Sequence, residues 1–235
     1  MMPASGDNSL SRIELLASLS GAELEALAQQ CVFRTYEAGE TIFEIGDEAR
    51  DVRFVIAGQA RVLVSMMEGR EVIFNDHGPG EMFGELGVVD GGARSASVVA
   101  QTRSQIAAMS DGVFRRLCHA HPKVGWAMLE HMSSHVRRLS NRLSEFSFLK
   151  ARHRIHSELL RLSRPRGGDS EERIITPVPR QTDIADRIAS RREIVSREMK
   201  ALEREGLLRR ERGGLVIVQP REIERLLREG WSGEG

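Results

Sequence analysis

Cysteine is scarce in this 235-residue chain, which holds only Cys31 and Cys118, 87 positions apart and without a CxxC partner. That spacing argues against a disulfide framework and against a cysteine-held zinc or iron–sulfur centre, so two buried, inert thiols are expected. Lysine is also rare. Only Lys123, Lys150 and Lys200 carry an ammonium group, so the cationic side chain here is arginine, whose planar fork suits phosphates and guanine edges. A GC-rich coding sequence would give the same bias, which therefore decides nothing alone. No apolar run approaches the roughly 18 residues that span a bilayer, and Met1 to Leu10 lacks the basic start and apolar stretch of a signal peptide. A cytoplasmic protein with no membrane partner is the expectation. With 40% hydrophobic and 29% charged residues, the chain belongs with globular proteins, and its length suits two domains.

Net charge is zero, but it is unevenly spread. Residues 1–149 carry 14 Lys+Arg against 19 Asp+Glu, whereas residues 150–235 carry 20 against 15. The second half is therefore the one suited to a polyanion.

Met1 to Asn8 reads as an irregular start. A helical stretch from Leu10 to Gln30 follows, in which Leu15, Leu16, Leu19, Leu24 and Leu27 recur at helical spacing. From Cys31 to about Ala108, glycines at 39, 46, 58, 69, 78, 80, 84 and 87 separate short β-rich pieces such as Phe54–Ile56, Arg61–Val64 and Val72–Phe74. Short strands with frequent turn signals, uninterrupted by any helix-length pattern, predict an antiparallel barrel or jelly roll.

After Asp111 the pattern turns helical. From Val124 to Leu149 it becomes a heptad, with Leu129, Met132, Val136, Leu139, Leu143 and Phe146 at alternating spacings of 3 and 4. Such a seam, flanked by polar residues, is narrow, which favours pairing with a second copy in a parallel homodimer over packing within one domain.

A loop at Arg164–Ser170 and prolines at 177 and 179 bound a last module. There, Arg180–Ala189 reads as a short helix with Ile184 and Ile188 inward, and Ser190 begins a tight connection. Arg191–Glu205 forms a second helix with Val195, Met199 and Leu202 inward, completing a helix-turn-helix. Gly213–Gly214 lies between Leu207–Leu208 and Leu215–Val218, a hairpin with Arg209, Arg210 and Arg212 beside its tip: a wing. The outer face of the second helix presents Arg192, Glu193, Ser196, Arg197 and Lys200. In a major groove, arginine forks onto guanine O6 and N7, and glutamate accepts from the cytosine amino group. Ser190 with Glu193 also fits a Ser-x-x-Glu capping box, a structural role for the same glutamate.

A second constellation is Phe83-Gly84-Glu85-Leu86-Gly87 followed by Ala93-Arg94-Ser95-Ala96. Glycine permits close backbone approach, a carboxylate accepts from ribose hydroxyls, and an arginine beside a hydroxyl holds a phosphate. Two histidine pairs lie elsewhere in the sequence. Cys118-His119-Ala120-His121 has no fourth ligand nearby, and His131 with His135 reads as a solvated face, so no metal is assigned.

The order of roll, FGELG, ARSA, long helix and winged helix-turn-helix resembles the cyclic AMP receptor protein and FNR family of bacterial transcription regulators, from about Leu15 to Val218. The resemblance implies an α+β chain in three parts: a cyclic-nucleotide-binding β-roll (jelly roll) over 1–123, a dimerisation helix over 124–150 and a winged helix-turn-helix over 151–235. It implies that Gly84 and Glu85 meet the ribose and that Arg94 and Ser95 meet the cyclic phosphate. The family's adenine-contacting threonine and serine align with Leu139 and Ser140, so one base-contacting group is replaced by a seam residue. Cyclic AMP is the first expectation, with cyclic GMP, a cyclic dinucleotide or no nucleotide as alternatives. Arg192, Glu193 and Arg197 match the family's base-reading residues, and Ser196 is similar to the FNR type. Palindromic DNA with TGTGA-like half-sites, or TTGAT-like ones second, is implied, as is RNA polymerase as a partner. The FNR cysteine cluster is missing, and no motif places a haem ligand. A phosphoesterase built on Glu85 and Arg94 would need metal-spaced groups to activate water, which the sequence does not supply; the expectation is a regulator, not an enzyme.

Overall fold

The computed structural model describes residues 10–65, 71–168 and 170–232; the expected irregular start, Gly69 and Asp169 lie outside them. Two units are distinguished, Met1–His135 and Val136–Gly235.

In the first unit, alternation of apolar and polar residues produces eight strands: β1 Val32–Tyr36, β2 Thr41–Phe43, β3 Asp51–Ala57, β4 Ala60–Ser65, β5 Glu71–His77, β6 Met82–Phe83, β7 Ser97–Ala100 and β8 Ser104–Ser110. They pair antiparallel into two four-stranded sheets of order β1-β8-β3-β6 and β2-β7-β4-β5, the expected roll. Side chains at alternate positions, such as Val52 and Phe54, are fully buried, as the two-residue period of a strand requires.

Two expectations change here. The helical stretch at 10–30 divides into a 3-10 turn at Glu14–Leu16 and helix α1 at Gly21–Ala28. Ser20 causes the division. Its side chain accepts from the Glu23 amide while the Glu23 carboxylate accepts from the Ser20 amide at 2.7 Å, a reciprocal cap that starts a new helix. The roll is also interrupted, because Glu85–Asp90 forms a six-residue helix, α2, between β6 and β7. Six residues are too few to register as a periodic pattern. Helix α3 (Asp111–Ala120) follows β8, and α4 spans Pro122–Phe148, with Val124 and Met128 buried in the core of the roll.

The second unit contains α5 (Ala151–Leu162), β9 (Arg164–Pro165), β10 (Arg173–Ile175), α6 (Gln181–Arg187), α7 (Arg192–Arg204), β11 (Leu208–Glu211), β12 (Gly214–Ile217) and α8 (Pro220–Ser232). The hairpin of β11 and β12 extends through β10 to β9, so the wing belongs to a four-stranded sheet. Ile184, Ile188, Val195, Met199 and Leu202 all point into one core, as the helix periodicity requires. Charges also lie inside. Fully buried Glu158 pairs with buried Arg187 at 3.8 Å and with exposed Arg161, and the fully buried His156 meets Glu198 of α7 at 2.6 Å. Among the described residues no helix is long and apolar enough to cross a membrane.

Candidate functional site

Gly84 begins the first site. It takes a left-handed backbone (φ +79), and a Cβ there would lie 2.5 Å from Arg94 Nη1, so both conformation and space require glycine. That turn ends β6 and starts α2 with Glu85, which is buried at the helix's first position.

Arg94 arrives from the segment before β7 and is held through its two terminal nitrogens, while its buried Nε has no hydrogen-bond partner among the described residues. Its Nη1 donates to the carbonyls of Gly84 (2.7 Å) and Asp51 (2.9 Å), its Nη2 donates to the Asp51 carboxylate, and the guanidinium lies 4.2 Å from the centre of the Phe43 ring. Only 3% of the residue is exposed, and burial pulls its pKa below the usual arginine value, against the opposing charge of Asp51. Asp51 also accepts from Arg53 Nε at 3.2 Å, so one carboxylate serves two arginines. Gly84 and Arg94 are therefore in direct contact, with buried Glu85 next to the first in sequence and exposed Ser95 next to the second. Asp51 was not foreseen. It stands 43 residues from Arg94 in a segment with no motif, and only strand pairing reveals it. Ser140 is an exposed residue of α4 in the second unit.

The half-buried His131 and His135 depart from the solvated-face expectation. They continue the α4 stripe of Val124 and Met128 at spacings of 4, 3 and 4, a pattern that lies beside the dimer seam and could have been read from the sequence. Around them, buried His77 is held well below the usual histidine range, to about 4, chiefly by desolvation. On the seam itself, Leu129, Val136, Leu139, Leu143 and Phe146 are exposed, whereas Met132 turns partly into the core of the roll.

The second site is the outer face of α7. Arg192, Glu193, Ser196, Arg197 and Lys200 line one open concavity, with the first, second, fourth and fifth exposed and Ser196 half-buried. Arg192, Arg197 and Lys200 make no ion pair among the described residues. The expected Ser190 cap does not form. Ala189 instead takes a left-handed φ of 47, the Ser190 amide bonds to the Ala185 carbonyl at 2.9 Å, and α7 begins one residue later from Arg191 without a side-chain cap. Glu193 is thereby left without the capping role. In the wing, Arg209 pairs with Glu172 and Glu211, and Arg210 pairs with Glu203 at 2.8 Å, while Arg212 is exposed and unpaired among the described residues.

Residues 33–121 match the family model of the cyclic nucleotide-binding domain, and residues 153–226 match that of the Crp-like helix-turn-helix domain. Together they define a ligand-binding roll joined to a DNA-binding module, the class of cyclic-nucleotide-binding transcription regulators. The chain is similar to a CRP-like cAMP-activated global transcriptional regulator of Mycobacterium tuberculosis, at 24% identity over 94% of this chain and all of that one. It is also similar to the cAMP-activated global transcriptional regulator Vfr of Pseudomonas aeruginosa, at 29% identity over 79% of this chain and 88% of that one. Among solved structures it resembles the catabolite activator protein of Thermus thermophilus, with TM-score 0.53 and 28% identity over 94% of this chain and 99% of that chain. The fold is likewise similar to that of the c-di-GMP responsive global regulator CLP of Xanthomonas campestris, with TM-score 0.70 and 23% identity over 84% and 99% of the two chains. The chain belongs to the cyclic AMP receptor protein and FNR family of transcription regulators.

Proposed function

We propose that this protein is a homodimeric regulator that binds a palindromic DNA site when a cyclic nucleotide, cyclic AMP first, occupies the site of Gly84, Glu85, Arg94 and Ser95, with Ser140 as the base-contacting residue. The observation that carries this reading is the direct bond between Arg94 and the carbonyl of Gly84, which holds a buried cation at the backbone turn that leads into buried Glu85. A cyclic phosphate replaces the Asp51 carboxylate as the anion that accepts from Arg94, and a ribose hydroxyl supplies a donor for Glu85. The relatives described as cAMP-activated favour cyclic AMP over the other nucleotides. Leu139, exposed on the seam, offers no polar group to a base, so base choice rests partly on Ser140.

Dimerisation supports the DNA reading. The exposed seam of Leu129, Val136, Leu139, Leu143 and Phe146 is covered when two α4 helices pair, and a two-fold dimer addresses two half-sites about 34 Å apart, one turn of DNA. In each half-site Arg192, Glu193 and Arg197 read base edges, first TGTGA-like and otherwise TTGAT-like, with Ser196 and Lys200 beside them and the wing arginines on phosphates. Activation follows if the nucleotide binds the DNA-competent state better than the other.

Calorimetry with cyclic AMP, cyclic GMP and a cyclic dinucleotide, paired with DNA binding in the presence and absence of each, tests the proposal. Micromolar binding of one nucleotide together with ligand-dependent DNA affinity is expected. Equal DNA affinity with and without every nucleotide would remove the allosteric part. Replacing Leu143 with Lys is expected to yield monomers by light scattering.

A further inference from the structure

The strongest unassigned cluster lies where α2 faces α4. Glu85, His131 and His135 each offer one ligand atom, and the three atoms lie within 4.8 Å of one another. The two imidazoles come from consecutive turns of one helix, with ring centres 6.4 Å apart, and the carboxylate comes from the first residue of α2. We propose that Glu85, His131 and His135 form a binding site for a divalent transition-metal ion of the zinc class.

Ligand chemistry selects the ion. Imidazole nitrogen suits zinc, nickel, copper and iron, and a single carboxylate adds charge without the all-oxygen shell that calcium or magnesium prefers. Donor atoms around a tetrahedral zinc with bonds of about 2.1 Å stand roughly 3.4 Å apart, against separations of no more than 4.8 Å here. Three protein ligands leave one position open, as in sites that keep a water or take a further ligand.

Placement supplies the rest. Glu85 is buried and His131 and His135 are half-buried, so the donors are partly dry before any ion arrives. Buried His77 stands within electrostatic reach of all three, and its Nδ1 has no hydrogen-bond partner among the described residues. Cys118, His119 and His121, the other candidate donors in the sequence, do not come together as a ligand group among the described residues. A bound ion would fasten α4 at His131 and His135 to the roll at Glu85, and it would compete with the ribose of a nucleotide for that carboxylate. The site stands whether or not the nucleotide reading holds, because its test uses neither nucleotide nor DNA.

The full-length protein is titrated with Zn(II) by calorimetry and with Co(II) by absorption. One equivalent per chain is expected, with a Co(II) spectrum of nitrogen and oxygen ligands. His131→Gln and His135→Gln should each weaken binding about tenfold or more while metal-free thermal unfolding stays unchanged, and His121→Gln should bind as wild type. No uptake by the wild type, or wild-type affinity in both variants, would overturn the site. So would a thiolate charge-transfer band, which would place Co(II) on Cys31 or Cys118. Should a variant fail to fold, the wild-type stoichiometry and Co(II) spectrum decide.

Discussion

The roll and the recognition helix treat charge in opposite ways. Arg94 is enclosed by Asp51, Gly84 and Phe43 and is almost without exposure, whereas Arg192, Arg197 and Lys200 stand in solvent with no ion pair among the described residues. A buried cation must have its partner present at all times, because desolvation disfavours an uncompensated charge. An exposed one can wait for a polyanion, since water solvates it meanwhile. On the proposed reading, the roll exchanges one partner of Arg94 for another, and the helix acquires partners that the described residues do not supply.

Arg94→Leu is the sharpest attempt to break this contrast. It should lower nucleotide affinity tenfold or more, on the order of 1.5 to 3 kcal/mol, the scale of a hydrogen bond to a charged group. Calorimetry showing wild-type affinity would mean that the enclosed arginine is structural only. On the exposed side, Arg197→Ala should cost the specific DNA site roughly 1 to 3 kcal/mol and relax sequence preference at one position, measured by competition among half-site variants.

The wing refines the comparison within a single hairpin. Arg212→Ala should reduce the salt dependence of DNA binding by about one phosphate contact, whereas Arg210→Ala should change it less, because Glu203 already holds Arg210 at 2.8 Å. Equal slopes for the two variants would show that this ion pair opens freely on DNA. The smallest effect is expected at the turn. Ala189→Gly removes a left-handed alanine at a cost in chain entropy, and should stabilise the unfolding transition by about 0.5 to 1 kcal/mol in denaturant titrations.

Periodic features were legible in the sequence. The α4 seam, the two helices of the helix-turn-helix and the hairpin of the wing appear where heptad, helical and strand spacings placed them. Features that depend on one residue's backbone or on distant pairing were not. A six-residue α2 has too little period to detect, Ala189 is not a residue expected to adopt positive φ, and its turn moved the start of α7 past Ser190. Asp51 meets Arg94 only because the roll folds residue 51 onto residue 94. The histidine stripe was different. Its spacing from Val124 and Met128 was present in the sequence, but the stronger hydrophobic seam on the neighbouring face drew the reading away.

The grip of Asp51 on Arg94 has a consequence for time as well as for affinity. A phosphate that takes the place of the Asp51 carboxylate on this guanidinium must wait until the carboxylate lets go, so that exchange follows an opening step that belongs to the protein alone. Association should therefore accelerate with ligand concentration at first and then level off at the opening rate. Asp51→Asn, which loosens the clasp while keeping its shape, should raise that plateau in a stopped-flow record.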